Sequence, residues 1–100
     1  MAQFDLYKNN GDNSELFPYL LDITHRINTV SSLRVVIPLC SDGNHIRHLN
    51  PTFNINGQKL YLSTMDIAGI PATMLGNAID NLENKRIEII DAIDFLINGF

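Results

Sequence analysis

Three histidines, one cysteine and a pair of late aspartates are the side chains with the means to do chemistry. His45 and His48 stand three apart in a polar stretch, and with Asp42 as a third donor they would form a weak zinc-type ligand set. Histidines in such a stretch are more often solvated loop residues. Asp91 and Asp94 fall one turn apart if their segment is helical, a spacing that can serve acid–base work but that more often marks a solvated helix face. Serine, histidine and aspartate all occur, yet no nucleophile-elbow pattern and no Gly-rich phosphate loop accompanies them. Cys40, being alone, can form neither an internal disulfide nor a thiolate metal cluster, and reads as a small buried hydrophobe at a strand end. The chemistry-bearing residues therefore favour binding over catalysis, with no cofactor and no metal expected.

The most informative stretch is the last, Asp94-Phe95-Leu96-Ile97-Asn98-Gly99-Phe100. Gly99 suits the position just past a helix that ends at Ile97 or Asn98, with Phe100 folding back onto Phe95. Chain ends are usually polar and loosely held, whereas this one finishes on a large apolar side chain. An interface, with a twin subunit or a foreign partner, is the competing expectation for the same residues.

The elements that must present this segment follow from size and patterning. The chain has 100 residues, 45% of them hydrophobic and 18% charged, which suits one globular domain over residues 1–100. Seven Lys and Arg against eleven Asp and Glu leave a net charge of −4, so counterion release offers little drive for nucleic-acid binding. A local basic cluster could still form at Arg26, Arg34 or the stretch from His45 to His48. No run approaches the about 18 apolar residues of a membrane span, and no basic segment followed by an apolar run opens the chain. Together with the single cysteine, this makes the cytoplasm the expected location.

Alternation of Phe4 and Leu6 with Gln3, Asp5 and Tyr7 predicts a half-buried strand over residues 2–8, followed by a turn-rich loop and a second strand from about Leu16 to Ile23. Residues 24–32 are polar apart from Ile27 and Val30 and predict an exposed connection. The β-branched run Leu33 to Leu39 predicts a buried strand, with Pro38 at an edge or bulge. Residues 41–48 look like a mobile loop. Thr52 to Ile55 and Lys59 to Ser63, joined at Asn56-Gly57, carry the strongest hairpin signal, because both central residues of a type I′ turn need positive φ. Ala68-Gly69 suggests a tight bend before a short strand from Ile70 to Leu75, with Pro71 favouring an edge.

Asp80 with Glu83 predicts a capping box at a helix start, Asn84 being the competing cap. The period then changes to that of a helix: Ile89, Ala92, Ile93, Leu96 and Ile97 form one apolar face, and Glu88, Asp91 and Asp94 lie opposite. Strands first and one amphipathic helix last predict a mainly β (α+β) fold, a small barrel or curled sheet with the helix packed against it.

The ordered series Gln3-Phe4-Asp5-Leu6-Tyr7, Arg34 to Leu39, Leu49-Asn50-Pro51, Thr64 to Pro71 and Ala92 to Gly99 resembles the CcdB family across essentially the whole chain. CcdB proteins are toxins of plasmid-maintenance toxin–antitoxin modules. The resemblance implies an SH3-like small antiparallel barrel with one C-terminal α-helix, assembled as a two-fold homodimer. It further implies a non-enzymatic poison of DNA gyrase, wedged into the gate of the A subunits so that the enzyme stays attached to cleaved DNA. A CcdA-like antitoxin, whose disordered tail folds on binding, would neutralise it.

Carried over by position, the implied gyrase-binding residues are Asn98, Gly99 and Phe100, with Asp94 and Ile97 one turn back and Ile27 and Asn28 on the connecting segment. The glycine matches the family pattern; the well-known member has tryptophan at the position of Asn98 and isoleucine at that of Phe100. Two other readings stay open: an endoribonuclease like the MazF and Kid toxins, which share this barrel, and an attenuated homologue that binds antitoxin only.

Overall fold

The computed structural model of the chain describes residues 1–26, 32–42 and 45–99. Its strands are β1 (Asp5–Lys8), β2 (Tyr19–Asp22), β3 (Leu33–Cys40), β4 (Thr52–Ile55), β5 (Gln58–Leu62), β6 (Ala68–Pro71) and β7 (Asp80–Asn81), and the helix is α1 (Arg86–Asn98). Among the described residues every strand pairing is antiparallel, and the sheet runs β4-β5-β3-β2-β1-β7 with β6 also against β3. The result is a curled half-barrel sheet with one C-terminal helix, the small α+β barrel type that the patterning predicts.

The curl originates at β3. On one side this strand pairs with β2; on the other its first half pairs with β6, Leu33↔Pro71 to Val36↔Ala68, and its end pairs with β5 at Leu39↔Leu62 and Cys40↔Tyr61. A single 3-10 turn, Thr64–Asp66, separates the two neighbours. Pro38 sits at that break, where its carbonyl accepts the Ser63 amide at 2.8 Å. A strand residue's amide and carbonyl point to the same side. The donor that proline lacks would therefore face the gap, so Pro38 fits within an internal strand, at an interruption of the pairing and not at the sheet edge, one of the two placements expected. Pro71 does lie on an edge strand, since β6 pairs with β3 alone among the described residues.

Alternation along the strands sorts side chains to two faces. Leu6, Leu21, Ile37, Leu39, Phe53, Ile55, Leu60 and Leu62 form the main core with Ile89 and Ala92 of α1. Tyr7, Val36 and Leu75 form a smaller cluster on the other face, with Leu20 and Ile70 beside them. Tyr7 is thus buried, although alternation alone assigns it to solvent. The type I′ hairpin is present as predicted, with Asn56 at φ 52° and Gly57 at φ 82° between Ile55 and Gln58.

Several boundaries differ from the sequence reading for reasons of long-range pairing. Strand β1 starts only at Asp5, because Phe4 adopts φ 68° and buries its ring while its amide donates to the Asp22 carbonyl at 2.6 Å. Strand β2 starts at Tyr19, since the amides of Leu16 and Phe17 bond to Asn13 in a turn. Ala68 and Gly69 are strand residues, and the bend is the 3-10 turn before them. Past Pro71 the chain enters another 3-10 turn, Ala72–Met74, in place of the expected strand.

The helix also begins later than expected. Asp80 belongs to β7, paired with Leu6, and the chain passes through a 3-10 turn at Glu83–Lys85 before α1. The side chain that organises this entrance is Asn81: its Oδ1 accepts the Glu83 amide at 2.8 Å and its Nδ2 donates to the Gln3 carbonyl and to Asp5 Oδ1. Neither Asp80 nor Asn84 caps α1, whose N-cap position is Lys85 without a side-chain hydrogen bond.

Candidate functional site

Helix α1 divides its side chains sharply. Ile89 and Ala92 are fully buried, Ile90 and Ile93 pack at the edge of the main core, and Glu88, Asp91 and Asp94 are exposed. Toward the C-terminus the core runs out beneath the helix. Leu96 is only half-buried and Ile97, expected on the apolar face, is 73% exposed.

The last turn is closed by local chemistry. Gly99 takes the left-handed conformation at φ 78° and donates its amide to the Phe95 carbonyl at 2.8 Å, the single-bond form of glycine helix closure. A residue with a Cβ is disfavoured at that φ, so glycine is what lets the chain turn off the helix here. The closure gathers Asp94, Ile97, Asn98 and Gly99 on one exposed turn. Phe100, Ile27 and Asn28, the other residues implied by the resemblance, lie outside the described residues.

One flank of this turn borders a groove that sequence reasoning missed. A cavity of about 360 Å³ is lined by His48, Asp91, Asp94, Phe95 and Gly99. It is continued by a second of about 240 Å³ between Arg47, His48 and Pro51 on one wall and Glu88 and Asp91 on the other. The loop wall is anchored over residues 46–50. The Ile46 amide donates to Asn50 Oδ1 at 3.0 Å, Asn50 Nδ2 to the Leu62 carbonyl at 2.9 Å and Thr64 Oγ1 to the Leu49 carbonyl at 2.5 Å.

Of the two loop histidines, His48 alone lines the groove among the described residues. The His45 ring lies 5.1 Å from that of Tyr61, whereas the His48 ring lies 6.2 Å from that of Phe95, so the two histidines serve different neighbours. Among the described residues no three His, Cys, Asp or Glu side chains are grouped to hold a metal. Cys40 is buried, with its thiol donating to the Asp42 carbonyl. No helix among the described residues is long and apolar enough to cross a membrane.

A larger cavity, about 560 Å³, opens on the sheet face away from α1. Leu20, Val36 and Pro38 line it together with Phe17, Ile70 and Met74, and Asp12 and Asp66 also border it. None of the described terminal-turn residues takes part.

No curated protein matches the chain. The family model described as CcdB protein matches residues 3–99, nearly the whole sequence and every element described above. With a curled antiparallel sheet, one C-terminal helix and that match, this chain belongs to the CcdB family, the toxins of type II toxin–antitoxin modules.

Proposed function

We propose that this protein is a gyrase poison that acts by binding, docking the turn Asp94, Ile97, Asn98, Gly99 and Phe100 onto the A subunit of DNA gyrase and trapping the cleaved-DNA complex. The observation that carries the reading is the exposure of Ile97 on a turn that Gly99 closes, because the core beneath α1 is already filled by Ile89 and Ala92. An apolar side chain on a rigid exposed turn is suited to serve as an interface anchor, and such anchors can contribute about 2 kcal/mol or more when fully desolvated. Asn98 offers hydrogen bonds and little area, so the apolar contribution falls to Ile97 and Phe100. Ile27 and Asn28 complete the surface in this reading, and a homodimer displays two copies of it.

A CcdA-like antitoxin neutralises the toxin through a tail that folds on binding. A tail of that kind has an apolar seat in the cavity over Leu20, Val36 and Pro38, which shares no described lining residue with the terminal-turn groove. Separate seats allow the antitoxin to engage a toxin that is still docked.

Growth of cells expressing this protein in a strain whose gyrase A subunit resists CcdB toxins is the deciding experiment. Rescue is the expected outcome. Continued killing rejects the gyrase reading, and a ladder of cleaved cellular RNA after induction would replace it with an endoribonuclease.

A further inference from the structure

We propose that His48 is a positioning residue for the terminal turn, holding it through Phe95. His48 sits in the anchored loop with φ 71°, a left-handed conformation that histidine tolerates better than bulky or β-branched residues do. From there its ring reaches the side of α1 and meets Phe95 at 6.2 Å between centroids, with the planes inclined at 39°. That separation falls within the roughly 4.5–7 Å over which tilted aromatic pairs attract.

Phe95 is also the residue whose carbonyl accepts the Gly99 amide. The same residue is thus held by its side chain from the loop and by its backbone from the helix closure. Phe95 is half-buried and lies outside the main core cluster, so the core does not fix it alone. The loop in turn is tied to β5 and to the 3-10 turn after it through Asn50 and Thr64. His48 carries that rigidity across to the last turn of the helix, and its ring lines the same groove as Asp94 and Gly99.

The inference rests on the proposed function only for its gyrase readout. His48→Gly removes the ring yet favours the left-handed backbone, so the loop keeps its shape and the thermal midpoint is expected to hold. Hydrogen exchange at the Gly99 amide should become about threefold to tenfold faster, and the dissociation constant for gyrase A should rise by about the same factor. In a Phe95→Leu background the same glycine substitution should add no further loosening, because the ring then has lost its partner. Unchanged Gly99 exchange in the glycine variant overturns the proposal, as does a glycine effect as large in the Phe95→Leu background as in the wild type. Should the glycine variant fail to fold, Phe95→Leu makes the same test, with faster Gly99 exchange expected and unchanged exchange overturning the idea. Wild-type protein that ignores gyrase A while Gly99 exchange still depends on the ring would reject the proposed target and leave the positioning role standing.

Discussion

The guanidinium of Arg34 lies against the carboxylate of Asp22, with Nε donating to Oδ2 at 2.7 Å and Nη2 2.6 Å from the same oxygen. The side chains are 3% and 0% exposed. The other carboxylate oxygen accepts the Thr24 amide at 2.9 Å, and Thr24 Oγ1 accepts the Val35 amide at 2.7 Å. One buried ion pair therefore fixes where β2 ends and how it meets β3.

Breaking that pair from one side should be severe. Asp22→Ala or Arg34→Ala leaves an uncompensated buried charge and is expected to cost about 3–5 kcal/mol in urea unfolding. Replacing both with apolar residues should recover most of that loss, because neither charge is then stranded. Single variants as stable as wild type would show that water reaches the pair.

Tyr7 gives the stability a defined alkaline limit. Burial raises its pKa above the ordinary value of 10.0, the Asp5 and Asp22 carboxylates raise it further, and Arg34 opposes them. The unfolded phenol loses its proton first as pH rises, so the native state binds more protons in that window and unfolding becomes easier. This contribution is fully present below about pH 10 and is lost as pH climbs through the folded value. Tyr7→Phe should flatten the alkaline decline in chemical denaturation, and an unchanged slope would assign it to other groups.

Two isoleucines of α1 should behave oppositely. Ile89→Ala empties a fully buried site and is expected to cost about 2–5 kcal/mol. Ile97→Ala, at a side chain 73% exposed, should change stability by about 0.5 kcal/mol or less and weaken toxicity. Equal effects on thermal midpoint would place Ile97 in the core of the working protein.

Deleting Gly99 and Phe100 should abolish toxicity while the folded protein and antitoxin binding survive. The described part of that segment contributes one helix-closing hydrogen bond and no core side chain. Circular dichroism and antitoxin pull-down check the fold, and colony counts after induction check the toxicity. Loss of folding would assign the terminus to the stability of the helix.

Local features of this protein are legible in its amino-acid sequence alone. Asn56-Gly57 must turn a hairpin and Gly99 must close a helix, because positive φ is set by the residue itself and its immediate neighbours. The apolar spacing from Ile89 onward names the helix face, and the net charge of −4 argues against a polyanionic partner. Along that face, though, spacing cannot show that the core stops short of Ile97.

Tertiary structure decides what depends on distant segments meeting. Pro38 is tolerated inside the sheet because β5 and β6 part beside it, Asp80 is a strand residue because Leu6 pairs with it, and Tyr7 is buried because Leu75 and Val36 cover it. The contact between His48 and Phe95 is of the same kind: a polar loop and a helix end, each ambiguous alone, become one wall of a groove only when the chain brings them together. Periodicity reports on neighbours along the chain, and those partners are neighbours only in space.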